Sequence, residues 1–432
     1  MEHVIIENLG PVRKVDIDLG RINVFIGPQG SGKSTIAKIV SFCQWVEKDC
    51  IRRQGASHVD KSYIEEQLVK YHNIAGYLHE DSRFAYSSDV FELEYRSDGI
   101  FVKMKEGFYN AVVSKNAYIP AERNIISVPG IFSTKMPFSY LTDFIDDWQR
   151  IREKYRDGES VELLDLGQQY IYDRSLNKDL IIKEDSEKGF ELSQVSSGLQ
   201  SVVPLCVMID YLTGWIYTHE EDRSAEERRA LREAGVIRLM ANENGLTDVD
   251  VRETIENTDE LQTSFTTLVE SFQRWLDEDR PELEKPKSVE KLRKNIDTLT
   301  HPAMSNIVIE EPELNLFPTT QVSLVYYLLA KMNHTRDRML VTTHSPYILY
   351  ALNNCLLAYL ASKEDAEMVG EMSGIPSAAW MNPGEVSVWE LVDGEIRKGT
   401  TIQDERGLIR DNYFDRVMQN VMVEFRNLLN FV

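Results

Sequence analysis

The 432-residue chain predicts an α/β fold: a mixed central sheet, an antiparallel β subdomain beside it, and a helical insertion. Three observations predict it. Short apolar runs at 22–26, 306–309 and 339–341 each end in a polar turn that opens a helix, the order of a parallel sheet. Residues 4–6 with 15–19, and 91–104 around Ser97-Asp98-Gly99, alternate like antiparallel hairpins. A charged stretch at 219–300 carries helical composition but no sheet pattern. The expected division is 1–218, a first lobe; 219–300, the insertion; 301–360, a second lobe; and 361–432, a terminal hairpin and helix.

In chain order, Gly10-Pro11 turns the first hairpin, and 22–26 feeds a glycine-rich loop. Residues 34–45 read as helix, with Ile36, Ile39, Val40 and Cys43 on one face. Residues 61–77 also read as helix. Tyr118-Ile119-Pro120 closes a strand, and 138–155 is amphipathic through Leu141, Phe144, Ile145, Trp148 and Ile151. Strands are expected at 180–182 and 190–192. The apolar run 202–217, broken by Pro204 and Asp210, reads as a buried helix too short to span a bilayer. Breaks at 242–245, 280–281 and 285–287 prevent any long heptad in the insertion. A hairpin at Asp393-Gly394 and a helix over 411–431 end the chain.

Composition narrows the function classes. Hydrophobic residues make up 42% and charged residues 27%, a globular balance. Residues 3–6 already read as strand, so no signal peptide is expected. Cys43, Cys50, Cys206 and Cys355 lack zinc spacing, and a chain of this size needs no disulfides, so a reducing cytoplasm is expected. The net charge of −22 opposes generic polyanion binding, because phosphate contacts need Lys and Arg to displace counterions. Direct DNA binding is left open. The basic clusters at 150–156, 223–238 and 285–294 are interleaved with acids and read as solvated helix faces.

Four short segments carry the chemistry. GPQGSGKS at 27–34 fits the pattern G-x-x-x-x-G-K-[ST] after a strand and before a helix. Gly27, Gly30 and Gly32 let backbone N–H groups, with those of Ser31 and Thr35, face a phosphate at the helix N-terminus. Lys33 would reach the β- and γ-phosphates of ATP, and the Ser34 hydroxyl would ligate Mg²⁺. IVIEEPE at 307–313 places two carboxylates at a strand's carboxyl end, where α/β sheets do nucleotide chemistry. Glu310 is assigned to the Mg²⁺ side and Glu311 to orienting and deprotonating the attacking water.

VSSGLQS at 195–201 sets Ser196, Ser197 and Gly198 at a helix start, a second anion site or a simple N-cap. VTTHSP at 341–346 puts His344 after a strand, able to bond a γ-phosphate or the water. Each of these two segments alone would be read as structural; their order after a phosphate loop decides otherwise.

Taken together, the set resembles the ABC-class ATPases of the SMC and RecF type, and among them the OLD-like AAA-family ATPases of prokaryotes. The phosphate loop, signature 196–200, acidic strand 307–311, its continuation IEEPELNLFP, the THSP switch and YIPAERN at 118–124 carry that resemblance over residues 1–350. It implies an ABC-ATPase head and a head-to-tail homodimer, or multiples of it, with two ATPs in the interface and each signature serving the other chain. It puts Glu313 in the D-loop region near the partner's site, and Glu122 or Arg123 in place of a Q-loop glutamine. Glu310 stands where many relatives carry Asp. About 90 residues follow His344, too few for the Toprim nuclease of the OLD enzymes. The resemblance therefore implies an ATPase acting beside a separate nuclease or toxin effector in antiphage defence, as in Septu and PARIS. A DNA-repair ATPase is the alternative. No membrane association is expected.

Overall fold

The computed structural model describes residues 2–219, apart from 54, 107, 109–110, 112, 157 and 184–187. It further describes 233, 235–240, 251, 254–255, 257–258 and 261–269, then 302–431 apart from 334 and 430. Most of the insertion expected at 219–300 lies outside the described residues.

Fifteen strands form two sheets among the described residues. They are β1 (Glu2–Leu9), β2 (Val12–Leu19), β3 (Ile22–Ile26), β4 (Leu78–Ser87), β5 (Phe91–Arg96), β6 (Gly99–Met104), β7 (Ser114–Ile119), β8 (Val161–Glu162), β9 (Gln168–Asp173), β10 (Lys178–Lys183), β11 (Gly189–Glu191), β12 (Met304–Glu310), β13 (Arg338–Thr342), β14 (Val386–Val392) and β15 (Glu395–Ile396). The larger sheet runs β6-β5-β4-β1-β2-β15-β14-β3-β13-β12-β7. Its right half, β14-β3-β13-β12-β7, is parallel throughout. Its left half is antiparallel from β2 to β6. The short β15 joins them, antiparallel to β14 and parallel to β2.

Why the two halves differ is visible in their side chains. Every residue of β3 is buried, and so are six of the seven in β12, because helices cover both faces of a parallel sheet. β2 alternates between buried and exposed, as a one-faced antiparallel sheet requires. The expected mixed α/β architecture is therefore observed. β4 and the pair β8–β9 were not expected. β4 opens on the polar run Leu-His-Glu-Asp-Ser, and β8 has only two residues, too few for any period.

Helices differ from expectation mainly in length. Lys33–Arg53 continues two turns beyond residue 45. The segment expected to be helical over 61–77 is helical only from Lys61 to Lys70. The helix Tyr140–Arg152 starts in a reciprocal cap between Ser139 and Thr142. One helix, Ser197–Thr218, is after all long and apolar enough to cross a membrane, yet most of it is buried within the protein. A second correction concerns the basic cluster at 150–156. Arg152 is buried and pairs with Asp179 at 3.2 Å, while Arg150 pairs with Asp147 and Arg156 with Glu153. Asp404 pairs with Arg410 and Asp411 with Arg397.

Candidate functional site

Strand order places the site. β13 lies between β3 and β12, so the loops leaving these three parallel strands emerge side by side at their carboxyl ends. Register is fixed by Thr342 opposite both Glu310 and Phe25. Two further bonds extend the ladders past the strands: Glu311 N donates to Thr342 O at 2.9 Å, and Thr343 N to Phe25 O at 3.0 Å. The phosphate loop, the two glutamates and His344 thus meet although some 310 residues separate the first from the last.

The loop after β3 depends on glycine at both ends. Gly27 has φ of 147°, and a Cβ there would lie 2.4 Å from the Leu391 carbonyl oxygen; Gly32 has φ of 106°, with Val12 Cγ2 at 2.6 Å. No other residue fits either position without moving β2 or β14. The Lys33 ammonium is buried and donates to the carbonyls of Gly27 (3.0 Å) and Pro28 (2.8 Å) and to Ser31 Oγ (3.4 Å). Burial lowers its pKa to about 8, against the opposing charges of Glu311 and Glu313. Gly30 and Ser34 are exposed at the mouth of the loop, while Ser31 and Thr35 are buried.

At the end of β12 the two carboxylates part company. Glu310 is buried, and Glu310 Oε1 has no hydrogen-bond partner. Burial raises its pKa, opposed by the hydroxyl of Ser34, the charge of Lys38 and the hydroxyl of Tyr118. A buried, unpartnered carboxylate oxygen beside a serine hydroxyl is a fitting place for a hard cation, which would restore the charged form. Among the described residues no group of three or more His, Cys, Asp or Glu is set to hold a metal. Such a cation would take its remaining ligands from phosphate and water, as Mg²⁺ does.

Glu311 is partly exposed, with φ of 43°. That left-handed backbone costs about 1–2 kcal/mol for a residue with a Cβ. His344 Nε2 lies 3.6 Å from Glu311 Oε1. Burial and the charge of Lys33 lower the histidine's pKa, with Glu311 opposing, so the imidazole is neutral at pH 7. The backbone N–H of His344 donates to Glu313 Oε1 at 2.6 Å. Glu313 thus braces the switch loop from within its own chain.

Arg123 corrects an expectation. It is fully buried, and its guanidinium donates to the carbonyls of Ser201 (3.0 Å), Pro120 (3.3 Å), Glu310 (3.0 Å), Glu311 (3.0 Å) and Pro312 (2.9 Å). Every contact is to backbone, so it cannot replace a Q-loop glutamine facing nucleotide. It instead pins the strained turn at Glu311 to the signature helix. Asn315, also left-handed at φ of 64°, adds a second tie through Nδ2 to Ser201 Oγ at 3.0 Å. Sequence reasoning missed Asn315, Tyr118 and Lys38. The YIPAERN run, which places Arg123 just after the strand end at Tyr118–Pro120, was the one available signal.

The signature segment sits at the surface. Ser196 and Ser197 are exposed, and Ser196 Oγ caps its helix by accepting from Leu199 N at 3.4 Å. Gly198 packs so closely on the following loop that a Cβ would lie 3.1 Å from Asn315 O. Among the described residues, neither serine hydrogen-bonds to the phosphate loop. Both readings of this segment, cap and anion site, are compatible with that placement.

Comparison with known proteins fits this arrangement. A family model described as an AAA domain matches residues 3–301. The chain belongs to the AAA domain family. No curated protein matches it in sequence. Among solved structures, this family member is similar to the SMC head domain from Thermotoga maritima, at 10% identity over 81% of this chain and 90% of that one, with a TM-score of 0.35. It is similar to the recombination mediator RecF, at 9% identity over 91% and 96% with a TM-score of 0.29. A dimeric ATP-binding cassette in a post-hydrolysis state with ADP and phosphate overlaps at 10% identity over 91% and 96%, with a TM-score of 0.27. Likenesses at this level assign no residue and no activity, so the chemistry of this AAA domain is read from its own geometry.

Proposed function

We propose that the chain is an ATPase that closes on ATP–Mg²⁺ as a head-to-tail dimer and opens on hydrolysis. The observation that carries this reading is the convergence of Lys33, Glu310, Glu311 and His344 at adjacent strand ends, with Glu311 and His344 side by side. ATP phosphates would take the place of the Gly27 and Pro28 carbonyls as acceptors for Lys33. Ser34 and Glu310 would hold Mg²⁺, which would supply positive charge against the phosphates. Glu311, exposed enough to meet solvent, would orient the attacking water and take its proton. Neutral His344 would donate one ring N–H to the γ-phosphate or the water. Positioning and charge stabilisation do the rest, as phosphoryl transfer requires.

Ser196, Ser197 and Gly198 would bind the γ-phosphate of a partner chain. Their exposure supports this, as does the fact that their helix is tied to the Glu311 turn rather than to the phosphate loop. Arg123 would then connect closure on one nucleotide to the catalytic turn of the other. The resemblance of the motifs carries the biological reading: a regulatory subunit controlling a separate nuclease or toxin effector in antiphage defence. The terminal helix Tyr413–Leu429, which has no buried residue and carries Met418, Val421 and Phe425 exposed, offers that effector a surface. The net charge weighs against a DNA-repair ATPase.

The deciding experiment measures mass and phosphate release together, for the parent and Glu311→Gln, with and without ATP–Mg²⁺. The expected result is an ATP-stabilised dimer, or a multiple of it, with turnover lower by about 10²–10⁴-fold in the variant. An assembly indifferent to ATP, with no turnover in the parent, overturns the reading.

A further inference from the structure

One cavity among the described residues lies apart from the proposed nucleotide site. It has a volume of about 790 Å³ and is bounded by the phosphate-loop helix, the turn near residue 72, the sheet's outermost strand β7, and the helix Tyr140–Arg152. No residue of 27–34, neither catalytic glutamate nor His344 lines it. That volume suits a small molecule, since ligand cavities usually measure roughly 300–1,000 Å³.

Its walls are aromatic. Trp45, Tyr71, Phe138 and Tyr140 face it, with Tyr71 and Phe138 rings 5.4 Å apart and Phe138 about half exposed. Aromatic faces left uncovered around a void favour a planar ring that can stack on them. Its polar groups are unevenly matched. Lys115 and Arg150 are both spent on Asp147, and Asp146 stands at the exposed rim. Lys48 is different: its ammonium lines the cavity with neither an ion pair nor a hydrogen bond among the described residues, and burial lowers its pKa to about 8. Two further groups in the lining lack partners, Asn116 Nδ2 and Nδ1 of His72, which is 1% exposed. Asp147 and Asp49 act on Lys48 only through space, and Asp143, also in the lining, is engaged with Tyr71. A cavity whose one cation has no direct contact, beside two idle buried polar atoms, can receive an anion with a polar head.

The inner wall leads to the metal-side carboxylate. The His72 ring lies 5.2 Å from that of Tyr118, and Tyr118 lies 5.6 Å from Tyr140. Lys38 Nζ donates to His72 O at 3.1 Å and sits 5.3 Å over the Tyr140 ring. Tyr118 stands opposite Val308 where β7 pairs with β12, two residues before Glu310.

We propose that this cavity is an effector site for a small aromatic anion. The ring would lie against Trp45, Tyr71 and Phe138, and the negative group would face Lys48 and Asn116. Occupancy would be felt at Glu310 through Tyr118 and Lys38. The binding half stands on the cavity alone; the coupling half rests on the ATPase reading.

The test uses 1-naphthoate and its neutral amide, titrated calorimetrically into the full chain without nucleotide. One saturable site per chain is expected, with roughly tenfold preference for the anion, the worth of a charged hydrogen bond. Lys48→Met should remove that preference and Lys48→Arg should keep it, with melting temperatures confirming that both fold. Absence of saturable binding, or naphthoate binding equally well to Lys48→Met, overturns the site. Non-saturating uptake that survives Lys48→Met would be sticking to the exposed terminal helix and counts against it too. Coupling is then read as a change of at least about twofold in the affinity for ADP–Mg²⁺ on adding naphthoate, by reciprocal linkage. An unchanged ADP affinity with naphthoate bound overturns the coupling half. Loss of ATP turnover in the parent would leave the calorimetric result standing, so failure of the ATPase reading is seen separately.

Discussion

The turn at residues 310–313 and the signature start at 196–198 are built on opposite principles. The first is partly buried, strained at Glu311 and held by several polar bonds: Arg123 to its carbonyls, Thr342 O to the Glu311 N–H, and Glu313 to the His344 N–H. The second is exposed, unstrained and closed by a single serine cap. A group that must hold a reacting water in place needs a rigid surround. A group that must meet and leave a second molecule needs accessible donors. Arg123, which holds the turn's carbonyls, and Asn315, on the loop after the turn, each bond to Ser201 on the signature helix, so the rigid half can report on the open half.

The largest expected break in that contrast is Arg123→Ala. It leaves the Glu310, Glu311 and Pro312 carbonyls and that of Ser201 without their buried donor, and should cost about 3–5 kcal/mol, read as a lower midpoint in urea. Arg123→Lys should recover only part of this, because an ammonium cannot span five carbonyls in a fixed fork. A loss below about 1 kcal/mol for the alanine variant would mean that the turn holds itself.

A smaller effect sharpens the contrast through pH. His72, which backs the Glu310 side, has its pKa lowered to about 3 by burial, with Lys38 adding to the shift. Below its unfolded value of 6.5 the unfolded chain therefore binds a proton that the folded chain refuses, so stability rises with pH between about 3 and 6.5. Going from pH 7 to 5 should remove on the order of 2 kcal/mol. His72→Asn should flatten that slope in urea titrations at the two pH values. An identical slope in the variant would place the acid sensitivity elsewhere.

Smallest in stability, and most informative about the open half, is Ser196→Ala. Losing the cap should cost about 1 kcal/mol, a shift of a few degrees at most in melting temperature. If the serine also meets a partner's phosphate, ATP-dependent association should weaken by far more than this loss explains, as seen by mass in solution. Equal association in the parent and the variant would leave the serine a cap and nothing else.

Much of the nucleotide half was legible because it is written in contiguous segments. A glycine loop between strand and helix, or two carboxylates ending an apolar run, states its geometry within ten residues. The corrections fell where function depends on contacts distant in sequence. The bond from the His344 N–H to Glu313, 31 residues back in the chain, is written in neither segment. Arg123 looked like a nucleotide contact, and only the approach of β12 and the signature helix showed where its five donors go. Tyr118 read merely as the end of a strand; its place beside Glu310 follows from the pairing of β7 with β12. The helix expected over 411–431 is observed at Tyr413–Leu429 with none of its residues buried, since helical period reveals an apolar face but not what covers it.

By itself, then, the sequence determined the α/β class, the strand-to-helix turns and the identity of the phosphate loop, because backbone propensity, apolar period and glycine requirements act over a few residues. Tertiary structure alone decided which loops meet, which charges are buried and which cation is left without a partner. Those follow from strand order and close packing, where neighbours in space are hundreds of residues apart along the chain.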